Sequence, residues 1–311
     1  MDYAPSSHQS HEQSDGKSGE KSKKKSTIYD SNFEQILVDT GSLASWNSLV
    51  PVPKPRNWDD LREILAQDPA ECTQSEYEDF VHKSLAARGE TKMITSLFPM
   101  ILGNDDILYE QYKVFTNLAP FTDGIADARP DLFDGSFPTD VGIDVRRKLS
   151  QLIVPSKQSG IPILPNFFLE AKGPEGTTVV AKRQVLYDGT LGARGIHSIQ
   201  CYGREPFFDN NAYTFSATLH DGVLRIYTTH PACPQGSTVY YTVQIQAYLL
   251  DEDLDSFQRG LTALRNARRF SKSQREKLIH IANERSRSSS SSGSQFRRAG
   301  GSTDSEGPQS G

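Results

Sequence analysis

The sequence predicts an α/β fold in which a mixed sheet is flanked by helices, with a helical arm before it and polar tails at both ends. Three observations carry that prediction. Met93, Ile94, Leu97 and Phe98 recur at the spacing that places them on one face of a helix. In Asn166-Phe167-Phe168-Leu169-Glu170-Ala171-Lys172, alternation sends Phe167, Leu169 and Ala171 to one side of a strand and Phe168, Glu170 and Lys172 to the other. Three further runs, Tyr213 to Leu219, Val223 to Thr229 and Val239 to Leu249, read as successive strands. Helical and strand periods mixed along one chain are satisfied by layers of helix on sheet.

Residues 1–26 are rich in Ser, Lys, Gly and Glu and hold too little apolar surface to offset chain entropy, so a disordered tail is expected. The domain spans 27–283, and its first part, 27–70, is an arm with two short helices. One lies at Ser31 to Leu37 and the other at Asp59 to Leu65, with Asn57 as its cap. Pro51-Val52-Pro53-Lys54-Pro55 between them must be extended. Helices are expected at 74–87 and 90–101. Strand signals begin near Tyr112: Val114-Phe115 and Asn117 to Phe121 lead to a turn at Asp123-Gly124, and a second short strand enters Pro130-Asp131-Leu132-Phe133 before Asp134-Gly135. Residues 142–153 read as a helix and 166–172 as a strand. Thr177 or Thr178 then caps a helix to about Tyr187, with Gly189 and Gly192 as candidate ends. His220-Asp221-Gly222 is a tight hairpin. One amphipathic helix or a helix pair covers 253–283, and 284–311, with Ser288 to Ser292 in a row, is expected to be a second disordered tail.

The net charge of −5 over 311 residues is unevenly spread. Residues 264–311 carry ten Lys and Arg against four Asp and Glu, which leaves the body strongly acidic. A nonspecific nucleic-acid binder needs a basic footprint, so this balance opposes that function unless basic residues ring a local cleft. Arg129, Lys182, Arg183 and Arg194 are the candidates for such a ring. No apolar run reaches the roughly 20 residues of a membrane span, so no membrane partner is expected. The first eight residues have no apolar stretch of the kind a secretory leader needs. Cys72, Cys201 and Cys233, odd in number and widely spaced, suit reduced thiols in an intracellular protein. Ser22-Lys23-Lys24-Lys25-Ser26 offers either a nuclear import signal or a solvated tail. His230 and Cys233 in His-Pro-Ala-Cys-Pro lack a second ligand pair and read as a loop.

The chemistry-bearing residues are Pro130-Asp131 and Glu170-Ala171-Lys172. An acid two residues before a lysine occurs three times, at Asp15, Glu90 and Glu170, but only Glu170-Ala171-Lys172 ends an apolar strand. Pro130-Asp131 is the only Pro-Asp step in the chain. Two carboxylates and an ammonium are the set needed to hold a hard cation such as Mg²⁺ or Mn²⁺ beside a phosphodiester. Asp131 and Glu170 supply the ligand type, the Ala171 carbonyl could add an oxygen, and Lys172 would orient water or stabilise charge on the phosphorus. The plainer alternatives are that Asp131 ends a strand before the Asp134-Gly135 turn, Glu170 and Lys172 form a solvated cross-strand ion pair worth well under about 1 kcal/mol, and Glu90 complements a helix dipole.

These motifs, on a strand followed by a helix, resemble the PD-(D/E)xK nuclease superfamily. More closely, Asn166 to Gly173, Gln184 to Gly189 and Leu191 to Arg194 resemble an uncharacterised fungal domain family assigned to that superfamily, over most of 30–270. The resemblance implies a restriction-endonuclease-like αβββαβ core. It implies metal-dependent phosphodiester hydrolysis with a nucleic-acid substrate, Asp131 and Glu170 binding the metal and Lys172 assisting water. It further implies support from Glu90, on the first core helix, and from Gln184, with Lys182 as the alternative, on the helix after the strand. The 39-residue interval between Asp131 and Glu170 would hold 142–153 as an insertion. Two rivals share these residues: a catalytically silent module that keeps the fold and binds a partner, and an interaction protein that works through its Arg/Ser-rich tail.

Overall fold

A seven-stranded mixed sheet forms the middle layer of the protein. The structure, a computed structural model, describes residues 25–298, with side chains through residue 289. The basic run's first lysines and most of the expected amino-terminal tail lie outside the described residues, as do residues 299–311. In chain order the elements are α1 (Phe33–Asp39), β1 (Ser42–Ala44), α2 (Trp58–Ala66), α3 (Gln74–Ala86), α4 (Glu90–Leu102), β2 (Tyr109–Gln111) and β3 (Leu132–Ser136). After a 3-10 turn come α5 (Ile143–Lys148), α6 (Ser150–Ile153), β4 (Ile163–Lys172), α7 (Thr178–Gln200), β5 (Thr214–His220), β6 (Val223–Ala232), β7 (Val239–Leu249) and α8 (Leu254–Arg298).

The strand order is β1-β7-β6-β5-β4-β3-β2. β4 runs parallel to β5, and β1 parallel to β7; all other neighbours are antiparallel. Asp221 and Gly222 both have positive φ (51° and 70°) in the two-residue β5–β6 turn, the conformation that matches strand twist. On one face, Phe167, Leu169 and Ala171 of β4 pack with Leu97 and Phe98 of α4 and Leu261 and Leu264 of α8. On the other, Phe168 packs with Leu186, Tyr187 and Leu191 of α7.

β4 therefore buries both faces over all ten residues, where alternation alone suggested one. Its polar members are covered from three helices: Glu170 meets Gln184 of α7, Lys172 meets Glu90 of α4, and Asn166 meets Ser271 and Arg275 of α8. The helix α7 runs to Gln200 instead of stopping near Tyr187 or at Gly189 and Gly192. These glycines are not ends. A Cβ at Gly192 would sit 2.6 Å from the Phe168 ring, and one at Gly189 would sit 2.5 Å from the Thr229 hydroxyl, so they let the helix press on the sheet. Thr177 is its cap, accepting from the Val180 amide.

Other expectations change for similar reasons. Asn57 makes no cap bond; its side chain instead exchanges hydrogen bonds with the backbone of Ala212 (3.0 and 2.9 Å). The α3 cap is Thr73, in a reciprocal capping box with Glu76. Val114-Phe115 and Asn117 to Phe121 are loop, not strand, and Asn117 ties this loop to the carbonyls of Ser150 and Val154. His230 belongs to β6, paired with Tyr241 of β7, because that hairpin extends beyond Thr229. The carboxy-terminal helix is one element that continues through Arg298, past the boundary set at 283. Arg268 of α8 makes a bidentate pair with Asp134 of β3 (2.9 Å each), both fully buried. Arg285 bonds the carbonyls of Gln200 and Tyr202 at the end of α7. No helix among the described residues is long and apolar enough to cross a membrane.

Candidate active site

The β3–β4 register places Leu132 opposite Leu169, so Asp131, one residue before β3, stands across from Glu170. Side chains and backbone then lock together. The Asp131 amide donates to Glu170 Oε1 (3.1 Å) and the Ala171 amide to Asp131 Oδ2 (2.9 Å). Lys172 Nζ donates to Glu90 Oε2 and to the Ala171 carbonyl (2.8 Å each) and lies 3.9 Å from Asp131 Oδ2. Gln184, one and a half turns into α7, donates its amide to Glu170 Oε2. Every residue the motifs nominated is thus brought together: Asp131, Glu170, Ala171, Lys172, Glu90 and Gln184.

Gly173 explains how Glu90 reaches the group. A Cβ there would lie 2.8 Å from the Glu90 amide nitrogen, so only glycine lets the end of β4 meet the start of α4 so closely. Tyr112, at φ +55°, is a non-glycine residue in the left-handed region, and its buried hydroxyl has no partner among the described residues.

One residue escaped the sequence reading. Asp188, 3 % exposed, lies one turn beyond Gln184, close enough to Glu170 for the two carboxyls to shift one another's titration. The spacing of four was a usable signal, because residues i and i+4 share a helix face. It was hidden by reading the helix as fading at Tyr187.

Three buried carboxyls now face one lysine. Burial raises Asp131 to about 6, against the opposing pull of Lys172 and the Ala171 amide. Burial raises Asp188 to about 7. Glu170 is pushed well up by burial and then by the charges of Asp131 and Asp188. Burial acts to lower Lys172, but Glu170, Asp131 and Glu90 outweigh it and hold the ammonium charged above its ordinary range.

The group opens on a cleft of about 420 Å³ bordered by Glu90, Tyr112, Arg129, Asp131, Gln184 and Asp188. A second cleft of about 420 Å³ shares Tyr29 and Glu90 with the first and is bordered by Lys172, Arg88, Gly173 and Thr177. The basic ring expected from sequence is largely absent. Arg129 borders the first cleft, but Lys182 lies over the Trp46 ring (5.5 Å), Arg183 bonds the Ile28 carbonyl (2.9 Å), and Arg194 bonds the Ala119 carbonyl and lies over Phe121 (4.4 Å). Their long side chains found partners in the arm and loop that pack over α7.

The donor set suits a hard divalent cation in type and charge: oxygen ligands, excess negative charge, and two buried oxygens, Asp188 Oδ2 and Gln184 Oε1, without partners among the described residues. As they stand, the carboxyl oxygens are turned to one another and to backbone amides. No group of three or more His, Cys, Asp or Glu side chains among the described residues is arranged as a metal cage.

Residues 146–283 are similar to a family described as a domain of unknown function (DUF7924). The match takes in Glu170, Lys172, Gln184 and Asp188 and leaves out Glu90 and Asp131. No curated protein matches the chain.

Proposed function

We propose that this cleft is the active centre of a metal-dependent phosphodiesterase of the PD-(D/E)xK type, acting on nucleic acid. One observation carries the reading: Asp131 and Glu170-Ala171-Lys172, 39 residues apart, interlock through the 2.9 and 3.1 Å bonds between them, with Asp131 lining one cleft and Lys172 the neighbouring one. The run α4, β2, β3, β4, α7, β5 also follows the αβββαβ order of the restriction-endonuclease-like fold, with α5 and α6 as the insertion.

Asp131 and Glu170, with the Ala171 carbonyl, would hold Mg²⁺ or Mn²⁺, which when bound would neutralise phosphate charge and make water a better nucleophile. Lys172, held charged beside Asp131, would stabilise negative charge growing on the phosphoryl oxygens. Glu90 fixes the lysine's direction, and Gln184 fixes the Glu170 carboxyl. Asp131 and Glu170 would hold the cation with their carboxylates ionised, and the bound charge would offset the burial that favours their protonated forms.

The test is digestion of single- and double-stranded DNA and RNA in Mg²⁺ or Mn²⁺, with Lys172→Ala and Glu170→Gln beside the wild type. Cleavage should fall by about a hundredfold or more in each variant. Equal cleavage by wild type and variants would trace the activity to a contaminant. A folded protein that cuts none of the substrates would sink the reading. One observation favours the silent binding module instead: three of the four basic residues expected around the cleft are committed elsewhere.

A further inference from the structure

Resting on the phosphodiesterase reading, we propose that the substrate is single-stranded nucleic acid and that Tyr29 is the platform on which an unpaired base stacks. Tyr29 is 72 % exposed, among the most exposed large hydrophobic side chains described, and it borders both clefts, the one lined by Asp131 and the one lined by Lys172. An aromatic ring left in water at such a place is an unmet stacking surface.

The ring is not carried by a loose segment. The turn from Thr27 to Asp30 is closed by Asp30, whose carboxylate accepts from the Thr27 amide (2.7 Å) and hydroxyl (2.9 Å). The residue before Tyr29 is tethered to α7 by Arg183, which donates to the Ile28 carbonyl (2.9 Å). Ser26 exchanges backbone bonds with Gly124 (2.7 Å) and Ala126 (2.8 Å). The arginine that sequence placed in a basic ring thus fixes the aromatic platform, so stacking costs little ordering of the protein.

Charge and size point to single strands. Arg129 and Arg88 are the basic side chains bordering the two clefts apart from Lys172, so few phosphates can be neutralised and affinity must come from bases. Each cleft, at about 420 Å³, is in the range that admits a single small ligand rather than a duplex. Bases stacked inside a duplex cannot reach Tyr29.

The experiment uses the full-length chain and a short mixed-sequence fluorescent oligonucleotide, as single strand and as duplex, with Ca²⁺ for binding and Mg²⁺ or Mn²⁺ for cleavage. The single strand should bind tighter and be cut faster. Tyr29→Ala should weaken its binding by about five- to a hundredfold, and Tyr29→Trp should retain it. An unchanged melting curve for Tyr29→Ala checks that the fold is intact. Duplex and single strand cut alike, with Tyr29→Ala fully active, would overturn the proposal and leave the phosphodiesterase reading standing. Tyr29-dependent binding of the single strand without any cleavage would support the platform and overturn that reading instead. Binding of neither oligonucleotide would overturn the platform.

Discussion

Replacing Asp188 with asparagine removes a carboxyl that burial holds at about 7. Its effect on stability has a definite sign. Asp131, Glu170 and Asp188 all titrate higher in the folded chain than in the unfolded one, so the native state binds more protons once pH exceeds about 4. Stability from these groups is fully present below that pH and is lost as pH rises through about 6 and 7. The metal-free protein should therefore melt lower at pH 8 than at pH 5. Asp188→Asn should raise the pH 8 melting temperature and narrow the difference, and Mg²⁺ should raise it in the wild type by mass action. Differential scanning fluorimetry across pH 5 to 8 measures all three, and identical curves for wild type and Asp188→Asn would refute this account. Lys172, whose pKa is raised, loses its contribution only at higher pH, outside this window.

At the scale of elements, α7 is where pattern and packing diverge. Its glycines look like helix ends, and glycine inside a helix costs about 1 kcal/mol relative to alanine. Gly192→Ala recovers that propensity but drives a methyl group against the Phe168 ring and within 3.0 Å of Thr214 Cγ2. Phe168 is fully buried and cannot swing away. Overpacking of about 1–3 kcal/mol should win, so the urea midpoint should fall. A higher midpoint would show that the close approach is dispensable. The strand β4 teaches the complementary lesson. Phe167, Leu169 and Ala171 were legible as a buried face, because period-2 alternation survives in sequence. The burial of Glu170 and Lys172 was not, because it depends on helices outside the strand, α7 for Glu170 and α4 for Lys172.

At the scale of the whole molecule, α8 unites the layers. Arg268 reaches Asp134 of β3, Arg275 reaches Ser136 and the Gly135 carbonyl (2.9 Å each), and Arg285 closes the end of α7. A chain cut after Asn283 loses Arg285, whereas one cut after Ser289 keeps it. The shorter chain should be less stable by about 1–3 kcal/mol, the worth of hydrogen bonds from a charged group. Thermal unfolding of the two side by side checks this, and equal melting temperatures would show that the stable domain ends at 283. The acidic body fits the same picture. Arg183 and Arg194 are spent on carbonyls and Arg268 on the buried Asp134, which leaves a candidate site poor in phosphate contacts.

The α/β class, the order of most helices and strands, and the members of the acid–acid–lysine group are written in local periodicity or in adjacent residues. That Asp131 stands opposite Glu170 is a matter of strand register, which no local pattern carries. The tertiary structure also revealed Asp188 as a third acid, since α7 had to stay helical beyond Tyr187 and pack on β4 to carry it there. The fate of the basic residues was likewise tertiary: a long cation takes whichever carbonyl or ring the fold brings within reach, and neighbours in sequence do not specify that partner.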